Sequence, residues 1–463
     1  MTPVPGAVGQ VLRGWARRHA AGCQVITPAD TDEAVRALSA CAGQGLSLVP
    51  RGHGCSYTGT ALNAGNVVLD TRRLNRVTAF DVETGILTAE AGVSMAAILD
   101  LALPRGWMLG GVPGGPWITV GGAIGNNVHG KDSYLVGTFG RSVVALTVMA
   151  PDGGLHRLRR DGSAEQRQWF DFVIGGMGLV GVVLEADIQL RRVAGPVVAA
   201  TTLVFRDLAE MVDLMERHKT SADMMLGWVD AFSPDGRGSL EVSTFSPVKP
   251  GDRTPPIMGR PERLFGLLPT GPTYPLLRSV ISARVMALHN VYKFRSDSRR
   301  GSVHTDMGAH AFPLAFHVPD VAGLFPGGFV EAQILLPLAR ALEGHRAVLA
   351  LCRSHGFESW LCSSKLFRGD DYPLSYSMEG ISLCICLPGR LAKRGDFRAF
   401  YDRLVDLTAE AGGLINLTKD EFLTTPQAHR LYPGLKAFLD FKRRMDPETR
   451  FDSDFHRRLT RPA

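Results

Sequence analysis

Residues 113–131 read PGGPWITVGGAIGNNVHGK, and this stretch decides how the rest of the chain is interpreted. Six of its nineteen residues are glycine, and a His-Gly-Lys triplet ends it. Glycine fills no core and loses much backbone entropy on folding, so this density indicates backbone that turns tightly or lies against a flat or anionic group. A bound cofactor is such a group, and a simple turn is the alternative that the stretch alone leaves open.

A second glycine loop lies upstream, where residues 46–52 (LSLVPRG) predict a buried strand. The loop that continues this strand, residues 51–59, reads RGHGCSYTG. Gly52 and Gly54 let successive backbone N–H groups point the same way, and Ser56 adds a hydroxyl group. Together they predict an anion-binding concavity of the kind that holds a pyrophosphate.

A third glycine run, GGMGLVG at residues 175–181, resembles a nicotinamide-dinucleotide fingerprint. Gly176, Gly178 and Gly181 satisfy the G-x-G-x-x-G spacing, but that fingerprint must open a helix. The following segment VGVVLEADIQL alternates like a strand instead. Thr201 and Thr202 stand about twenty residues downstream, where the fingerprint needs an acidic residue. The sequence therefore disfavours a nicotinamide site.

The composition bounds the class of protein. A chain of 463 residues predicts two or three domains, and 45% hydrophobic with 21% charged residues is typical of a globular enzyme. The net charge of +6 comes without a run of basic residues interleaved with aromatic ones, which argues against nucleic acid as a partner.

The sequence also predicts where the protein works and which groups it lacks. The first residues have no basic and apolar signal segment, and no apolar stretch approaches the ~18–20 residues of a membrane span. Seven cysteines without regular spacing predict free thiols in a reducing cytoplasm. No metal site is expected, because no Cys or His pair faces a second pair at zinc-ligand spacing.

The order of these motifs resembles the FAD-dependent oxidoreductases of the vanillyl-alcohol oxidase family. It runs RGxGxSY, VVLDTRRLNRV, AGV, PG…TVGGAI…HGK, GTFGRSVVALTVMAPDG and WFDFVIGGMGLVGVVLEADIQL, and it ends on MDPETRFDSDFHRRL. The likeness is greatest to the decaprenylphosphoryl-ribose 2′-oxidase branch of that family. It implies an α+β fold, in which a two-part PCMH-type FAD-binding domain carries an inserted α+β substrate domain with an antiparallel sheet flanked by helices.

The resemblance and the composition together predict the domain borders. Residues 1–192 are expected to form the FAD-binding domain, residues 193–410 the substrate domain, and residues 411–463 the return to the FAD-binding domain. After Arg192 the segments become rich in Phe, Met and Pro. Residues 245–277 are predicted to be irregular, and residues 250–261 to form a loop over or beside the mouth of the pocket.

The resemblance implies catalytic roles for Lys419, His129 and Tyr57. Oxidising an alcohol moves a hydride to flavin N5 while the hydroxyl proton leaves. A lysine can stabilise the negative charge of the reduced flavin or, with a lowered pKa, accept the proton. A neutral His129 can contact the substrate hydroxyl or the flavin edge. A solvated lysine, a packed histidine and a buried structural tyrosine are the alternatives.

The same resemblance assigns binding residues. For the substrate, a small sugar-like alcohol, they are Lys131, Gln333, Lys365, Ser382 and Cys384. For FAD they lie in the three glycine segments and near the C-terminus: Arg51, Gly52, His53, Gly54, Cys55, Ser56, Tyr57, Pro113, Gly114, Thr119, Gly121, Gly122, Asn126, His129, Gly130, Gly176, Gly178, Gly181, Val182 and Lys419.

Two departures from the family pattern refine these expectations. Many relatives bind flavin covalently through a histidine at the position of Cys55, so noncovalent FAD is expected, with a bond to Cys55 or His53 left open. Ser382 replaces an asparagine of the 2′-oxidase branch. The expected activity is therefore oxidation of a hydroxyl on a sugar or cyclitol-like alcohol. The alternatives are the oxidase half of a two-enzyme epimerisation, with a partner reductase, and a flavin-binding protein without turnover.

Overall fold

The computed structural model describes residues 4–260, 263–264 and 266–460, and the strands of these residues form four sheets in an α+β fold. The first sheet is mixed, because its outer strand pairs antiparallel and the other neighbours pair parallel. Its strands lie in the order Val8–Arg13, Ala20–Ile26, Val67–Asp70 and Leu48–Arg51. The last of these confirms the strand that was predicted before the loop at residues 51–59.

The second sheet is antiparallel, and one of its strands comes directly after the glycine run at residues 175–181. Its strands lie in the order Val77–Asp81, Ile86–Glu90, Val182–Gln189, Val143–Met149 and Leu155–Arg159. A strand and not a helix therefore follows the run at residues 175–181, which confirms that this run lacks the context of a nicotinamide fingerprint. A separate two-stranded pairing joins Trp107–Met108 to Arg191–Arg192.

The largest sheet has eight antiparallel strands and comes from the later part of the chain. Its strands lie in the order Ser302–Asp306, Val197–Phe205, Gly238–Ser246, Met224–Val229, Ser363–Phe367, Gly380–Pro388, Phe329–Pro337 and Leu414–Ile415. The short strand Leu414–Ile415 extends this sheet from within the predicted return segment. The division into domains at residues 192 and 410 stays a prediction.

Helices cover the sheets, and several of them begin at a side-chain cap. Thr31–Ala42 starts after Asp30, whose side chain accepts a hydrogen bond from the Glu33 N–H. The other α-helices are Met95–Ala102, Val120–Gly125, Ser133–Val136, Ala164–Val173, Leu208–His218, Thr270–Val280, Ala283–Asp297, Met307–Ala311, Pro313–His317, Val321–Leu324, Leu338–His355, Phe397–Glu410, Thr425–Leu431, Gly434–Met445 and Asp454–Thr460.

The proline-rich segment at residues 245–277 is more regular than the sequence predicts. Its last part belongs to the helix Thr270–Val280, which contains Pro275. This helix is held by tertiary contacts that the sequence does not show, because Tyr274 is buried and its hydroxyl donates to the Pro319 carbonyl. The prediction of irregular backbone through residue 277 is therefore wrong at its C-terminal end.

The loop at residues 250–261 is anchored to both neighbouring parts of the fold. The Asp100 carboxylate accepts hydrogen bonds from the backbone N–H groups of Ile257 and Met258, at 2.6 and 2.8 Å. Arg260 forms an ion pair of 2.6 Å with Asp306. Pro261 lies outside the described residues. The position of this loop at a pocket mouth stays a prediction.

Candidate active site

Two glycine loops meet at the centre of the candidate site. The Thr119 hydroxyl caps the helix Val120–Gly125 by accepting a hydrogen bond from the Gly122 N–H at 3.3 Å. A Cβ atom added at Gly52 would lie 2.1 Å from Thr119 Oγ1, so only glycine lets the loops approach this closely. Gly54 has a φ of +75°, in the left-handed region that favours glycine.

A cavity runs from these loops to the eight-stranded sheet and to the segment around Lys419. It brings together most of the residues that the sequence assigns to the site. Those in its wall are Arg51, Gly52, His53, Gly54, Cys55, Ser56, Tyr57, Pro113, Gly114, Thr119, Gly121, Gly122, Asn126, His129, Gly178, Gly181, Lys365, Cys384 and Lys419.

The glycine end of the cavity suits a cofactor that is both flat and polar. Asn126 Oδ1 and Thr60 Oγ1 belong to residues of the wall, and both atoms are buried without a hydrogen-bond partner. Buried polar atoms without partners are costly, so a ligand that bonds to them is expected. Gly114 also lines the cavity, and a Cβ atom added there would contact nothing within 4 Å. The residues present therefore fit FAD.

The end of the cavity beside Tyr57, a residue of the loop at 51–59, carries a buried ion pair. Lys419 Nζ lies 2.5 Å from Glu331 Oε1 and 4.9 Å from the centre of the Tyr57 ring. Burial is the largest single effect and acts to lower the pKa of Lys419, but the negative charge of Glu331, its hydrogen bond and smaller contributions together outweigh burial and leave this pKa raised above its usual value. Lys419 is thus a fixed cation, and the alternative of a lysine base with a lowered pKa does not hold for this residue.

Lys365 has the opposite electrostatic environment. It lies on the strand Ser363–Phe367, and its amine has no hydrogen-bond or ion-pair partner within the described part of the chain. Burial and, next, the positive charge of Lys419 lower the pKa of Lys365 to about 8. With a pKa of about 8, roughly a tenth of this amine is unprotonated at pH 7, and the unprotonated state is the one that accepts a proton.

His129 is held as a neutral imidazole. Its Nε2 atom lies 3.2 Å from Gln333 Oε1, which also accepts a hydrogen bond from Asn416 Nδ2 at 3.1 Å. Since that oxygen only accepts, His129 donates from Nε2, and its buried Nδ1 carries the free lone pair. Burial, followed by the charges of Lys365 and Lys419, holds the pKa of His129 well below its usual range.

Several of the assigned residues lie outside the cavity wall. Gln333 acts through His129, as described above. Lys131 binds Glu241 at 3.0 Å and the His310 carbonyl at 2.7 Å. Ser382 is buried within the strand Gly380–Pro388. Three more pack against backbone or in the core: Gly130, Gly176 and Val182. Their contributions to binding stay predictions.

The cavity also contains residues that sequence reasoning did not assign. Glu331 is the most consequential, and its signal was available, because it stands two positions before Gln333 in a strand and so faces the same side of the sheet. Asn416 could have been found by its place three residues before Lys419. The remaining wall residues with polar or aromatic side chains include Trp15, Trp117, Asp320, Ser363 and Thr418.

Cys55 and His53 both line the cavity, as a covalent flavin link would require. Burial, partly offset by a hydrogen bond with Trp117, raises the pKa of the Cys55 thiol to about 12. A protonated thiol is a poor nucleophile. Burial likewise lowers the pKa of His53. The environment of Cys55 agrees with the expectation that FAD is held without a bond to it.

Two further observations concern membrane spans and metal ions. Among the described residues, no helix has the length and apolar character needed to cross a bilayer. Within the same residues, no group of three or more His, Cys, Asp or Glu side chains is arranged to hold a metal ion.

Comparison with known proteins shows an FAD-binding region and several similar oxidoreductases. Residues 23–159 match a family model described as an FAD binding domain. The chain is 29% identical over 469 residues to the decaprenylphosphoryl-beta-D-ribose oxidase of Mycolicibacterium smegmatis, a match that covers 97% of each protein. It is 29% identical over 172 residues to a glycolate oxidase subunit of Bacillus subtilis, covering 36% of each.

A third relative extends the range of donors. The mitochondrial D-lactate dehydrogenase (cytochrome) of Kluyveromyces lactis is 28% identical over 171 residues, which cover 36% of this chain and 30% of that one. By name, these three relatives oxidise compounds that carry a hydroxyl group. The chain is similar to these FAD-linked oxidoreductases, and it is an FAD-dependent enzyme that acts on CH–OH donors.

Proposed function

We propose that this enzyme oxidises a hydroxyl group of a sugar or cyclitol-like substrate inside the cavity. The observation that supports this most is the pair of unlike lysines, Lys419 and Lys365, in the cavity wall. Bound FAD supplies the hydride acceptor, flavin N5. The chain must supply a fixed charge, a proton acceptor and the polar contacts that orient the alcohol.

Lys419 supplies the fixed charge. Glu331 holds its ammonium group at 2.5 Å, so the charge is preorganised within a buried site. Such a charge stabilises negative charge that develops in the reaction without having to reorganise. The residues assigned to FAD that reach this end of the cavity are Lys419 itself and Tyr57.

Lys365 accepts the hydroxyl proton. Its amine is unpartnered and has a pKa of about 8, close to the value at which a general base is most effective near neutral pH. His129 is the weaker base, because its pKa is held well below the usual range. The free Nδ1 atom of His129 instead accepts a hydrogen bond that orients the alcohol.

A second candidate substrate is a polyprenyl-phosphate pentose, oxidised at its 2′-hydroxyl and passed to a partner reductase. The likeness to the decaprenylphosphoryl-ribose oxidase over 97% of both chains supports it. The place of Ser382 within the sheet, outside the cavity wall, gives no support either way. The lysine pair gives no support to the third candidate, which is a flavoprotein without turnover.

The test uses the purified holoenzyme and its visible flavin absorbance. Acid should release the FAD, because the Cys55 thiol is protonated. This expectation is contradicted if FAD stays with the acid-denatured native protein but is released from the Cys55→Ala variant. Anaerobic addition of myo-inositol, ribose 5-phosphate and a short-chain polyprenylphosphoryl ribose should then bleach the flavin with at least one of them. Bleaching only by glycolate or D-lactate, tested in parallel, would overturn the sugar assignment, and no bleaching by any would support the protein without turnover.

A further inference from the structure

Two consecutive helices present an apolar surface to solvent. They are Thr270–Val280 and Ala283–Asp297, and we call residues 267–297 the helical hairpin. Of the fifteen large hydrophobic side chains that are exposed among the described residues, seven lie in it. They are Leu267, Leu268, Leu276, Val280, Val285, Leu288 and Tyr292, and three of them are at least 70% exposed.

The second helix of the hairpin differs from an ordinary surface helix in which of its side chains are buried and which are exposed. Its buried residues are polar: Asn290 donates to Asp230 at 2.9 Å, and Asp297 accepts from Ser239 at 2.6 Å. Its exposed apolar residues, Val285, Leu288 and Tyr292, recur at the spacing of one helical face. A helix in contact only with water places its apolar stripe toward the core, so this arrangement indicates that something apolar covers the outer face.

The charge of the hairpin indicates what covers it. The hairpin contains four Arg and Lys residues and one acidic residue, Asp297, a net charge of +3. Three flanking arginines, Arg263, Arg299 and Arg300, bring residues 263–300 to seven basic residues and a net charge of +6, which equals that of the whole chain. Asp297 is buried, whereas six of the seven basic residues are exposed. The guanidinium groups of Arg284 and Arg295 have no hydrogen-bond or ion-pair partner in the part of the chain that the structure describes.

We propose that the helical hairpin docks on an anionic lipid surface, with Leu288 and Tyr292 inserted at the interface. An exposed apolar face rimmed by unpaired arginines is the combination that binds such surfaces without spanning them. A second copy of the chain is disfavoured as the occupant, because a self-interface here would bring two faces of like charge together.

The hairpin also contacts the wall of the cavity. Arg278 donates two hydrogen bonds to the Gly323 carbonyl, at 2.5 and 2.9 Å. The neighbouring residues Asp320 and Val321 line the cavity. Docking would therefore place the lipid surface beside this wall, whichever alcohol the enzyme oxidises, and the inference does not depend on the proposed substrate.

The test is sedimentation of the full-length holoenzyme with vesicles of phosphatidylcholine alone or mixed with phosphatidylglycerol. We expect binding to the mixed vesicles that weakens with added salt, and at least tenfold weaker binding to neutral ones. Replacing Leu288 and Tyr292 by Ser should weaken binding to the mixed vesicles at least tenfold. Val8→Ser with Val11→Ser, which removes equally exposed apolar side chains from an edge strand, should leave it unchanged.

A second variant covers the case in which the first is poorly folded. Arg284→Gln with Arg295→Gln breaks no contact and should weaken binding to the mixed vesicles while FAD content and melting temperature stay the same. The proposal would be overturned if the native protein did not bind the mixed vesicles, or if the hairpin variants bound them as strongly as the native protein does. It would also be overturned by a native dimer that the Leu288 and Tyr292 substitutions dissociate, or by an acidic protein that occupies the hairpin in place of lipid.

Discussion

At the scale of single residues, one carboxylate separates the roles of the two cavity lysines. Glu331 binds Lys419 directly and keeps it charged, and that charge in turn helps to lower the pKa of Lys365. The site thus contains a cation and a base of the same residue type. Environment and not identity distinguishes them.

Replacing Lys365 by Met should remove the general base. A base of this kind contributes ~10²–10⁴ in rate, so flavin reduction by the substrate should slow by about that factor. In the native enzyme the rate should rise as pH increases through about 8, because only the unprotonated amine accepts a proton, and this dependence should vanish in the variant. Rapid mixing without oxygen at a series of pH values measures both.

Lys365→Arg is the matched control, since a guanidinium keeps positive charge in the cavity but does not deprotonate in proteins. It should be as slow as Lys365→Met. An arginine variant that restores the native rate, or a methionine variant with the native pH profile, would remove Lys365 from proton transfer.

Glu331→Gln should shift the pH profile in a defined direction. The negative charge of Glu331 raises the pKa of Lys365 as well as that of Lys419, so its loss should lower both for as long as Lys419 keeps its proton. The midpoint of the rise in rate should therefore move below its native position. Glu241→Gln removes a carboxylate that pairs with Lys131 outside the cavity wall, and its midpoint should stay in place. An upward shift in Glu331→Gln would contradict this account.

At the scale of elements, the sequence predicts the backbone of the site better than its charges. The glycine loops and the strands Leu48–Arg51 and Val182–Gln189 follow from local patterns, since turn chemistry and alternation depend on near neighbours. The ion pair of Lys419 with Glu331 joins residues 88 positions apart, so no local pattern predicts it. The exposed apolar face of the helix Ala283–Asp297 is likewise not predicted by a local pattern, because the side chains that this helix buries are polar.

The contact between the two glycine loops can be tested by a single methyl group. Gly52→Ala would place a Cβ atom 2.1 Å from Thr119 Oγ1, and overpacking of this kind costs about 1–3 kcal/mol. We expect a lower melting temperature and weaker retention of FAD on gel filtration. Gly22→Ala, where an added Cβ contacts nothing within 4 Å, is the control and should match the native chain. Native FAD retention in Gly52→Ala would contradict the close approach of the loops.

At the scale of the whole molecule, the cavity joins parts of the chain that are distant in sequence. Its wall includes residues 50–61, residues 113–129, strands of the eight-stranded sheet and the segment around Lys419. The family model covers only residues 23–159 of this set. Cofactor binding is therefore the best-predicted property of the molecule, whereas the part of the wall that the eight-stranded sheet contributes lies outside the family model.

The same scale shows where the charge of the molecule lies. Residues 263–300 hold a net charge equal to that of the complete chain, so the remainder is close to neutral. A charge that is concentrated on one face orients a protein toward an anionic surface. Composition alone, which gives only the total of +6, does not reveal this.

The most direct test of the central claim is the rate of anaerobic flavin reduction in Lys419→Ala, with the alcohol that bleaches the native enzyme. Loss of one preorganised charge of this kind costs about 3–4 kcal/mol, or ~10²–10³ in rate. The account predicts a protein that keeps its FAD and its melting temperature but is reduced at least a hundredfold more slowly. A Lys419→Ala protein that binds FAD normally and is reduced at nearly the native rate would contradict it.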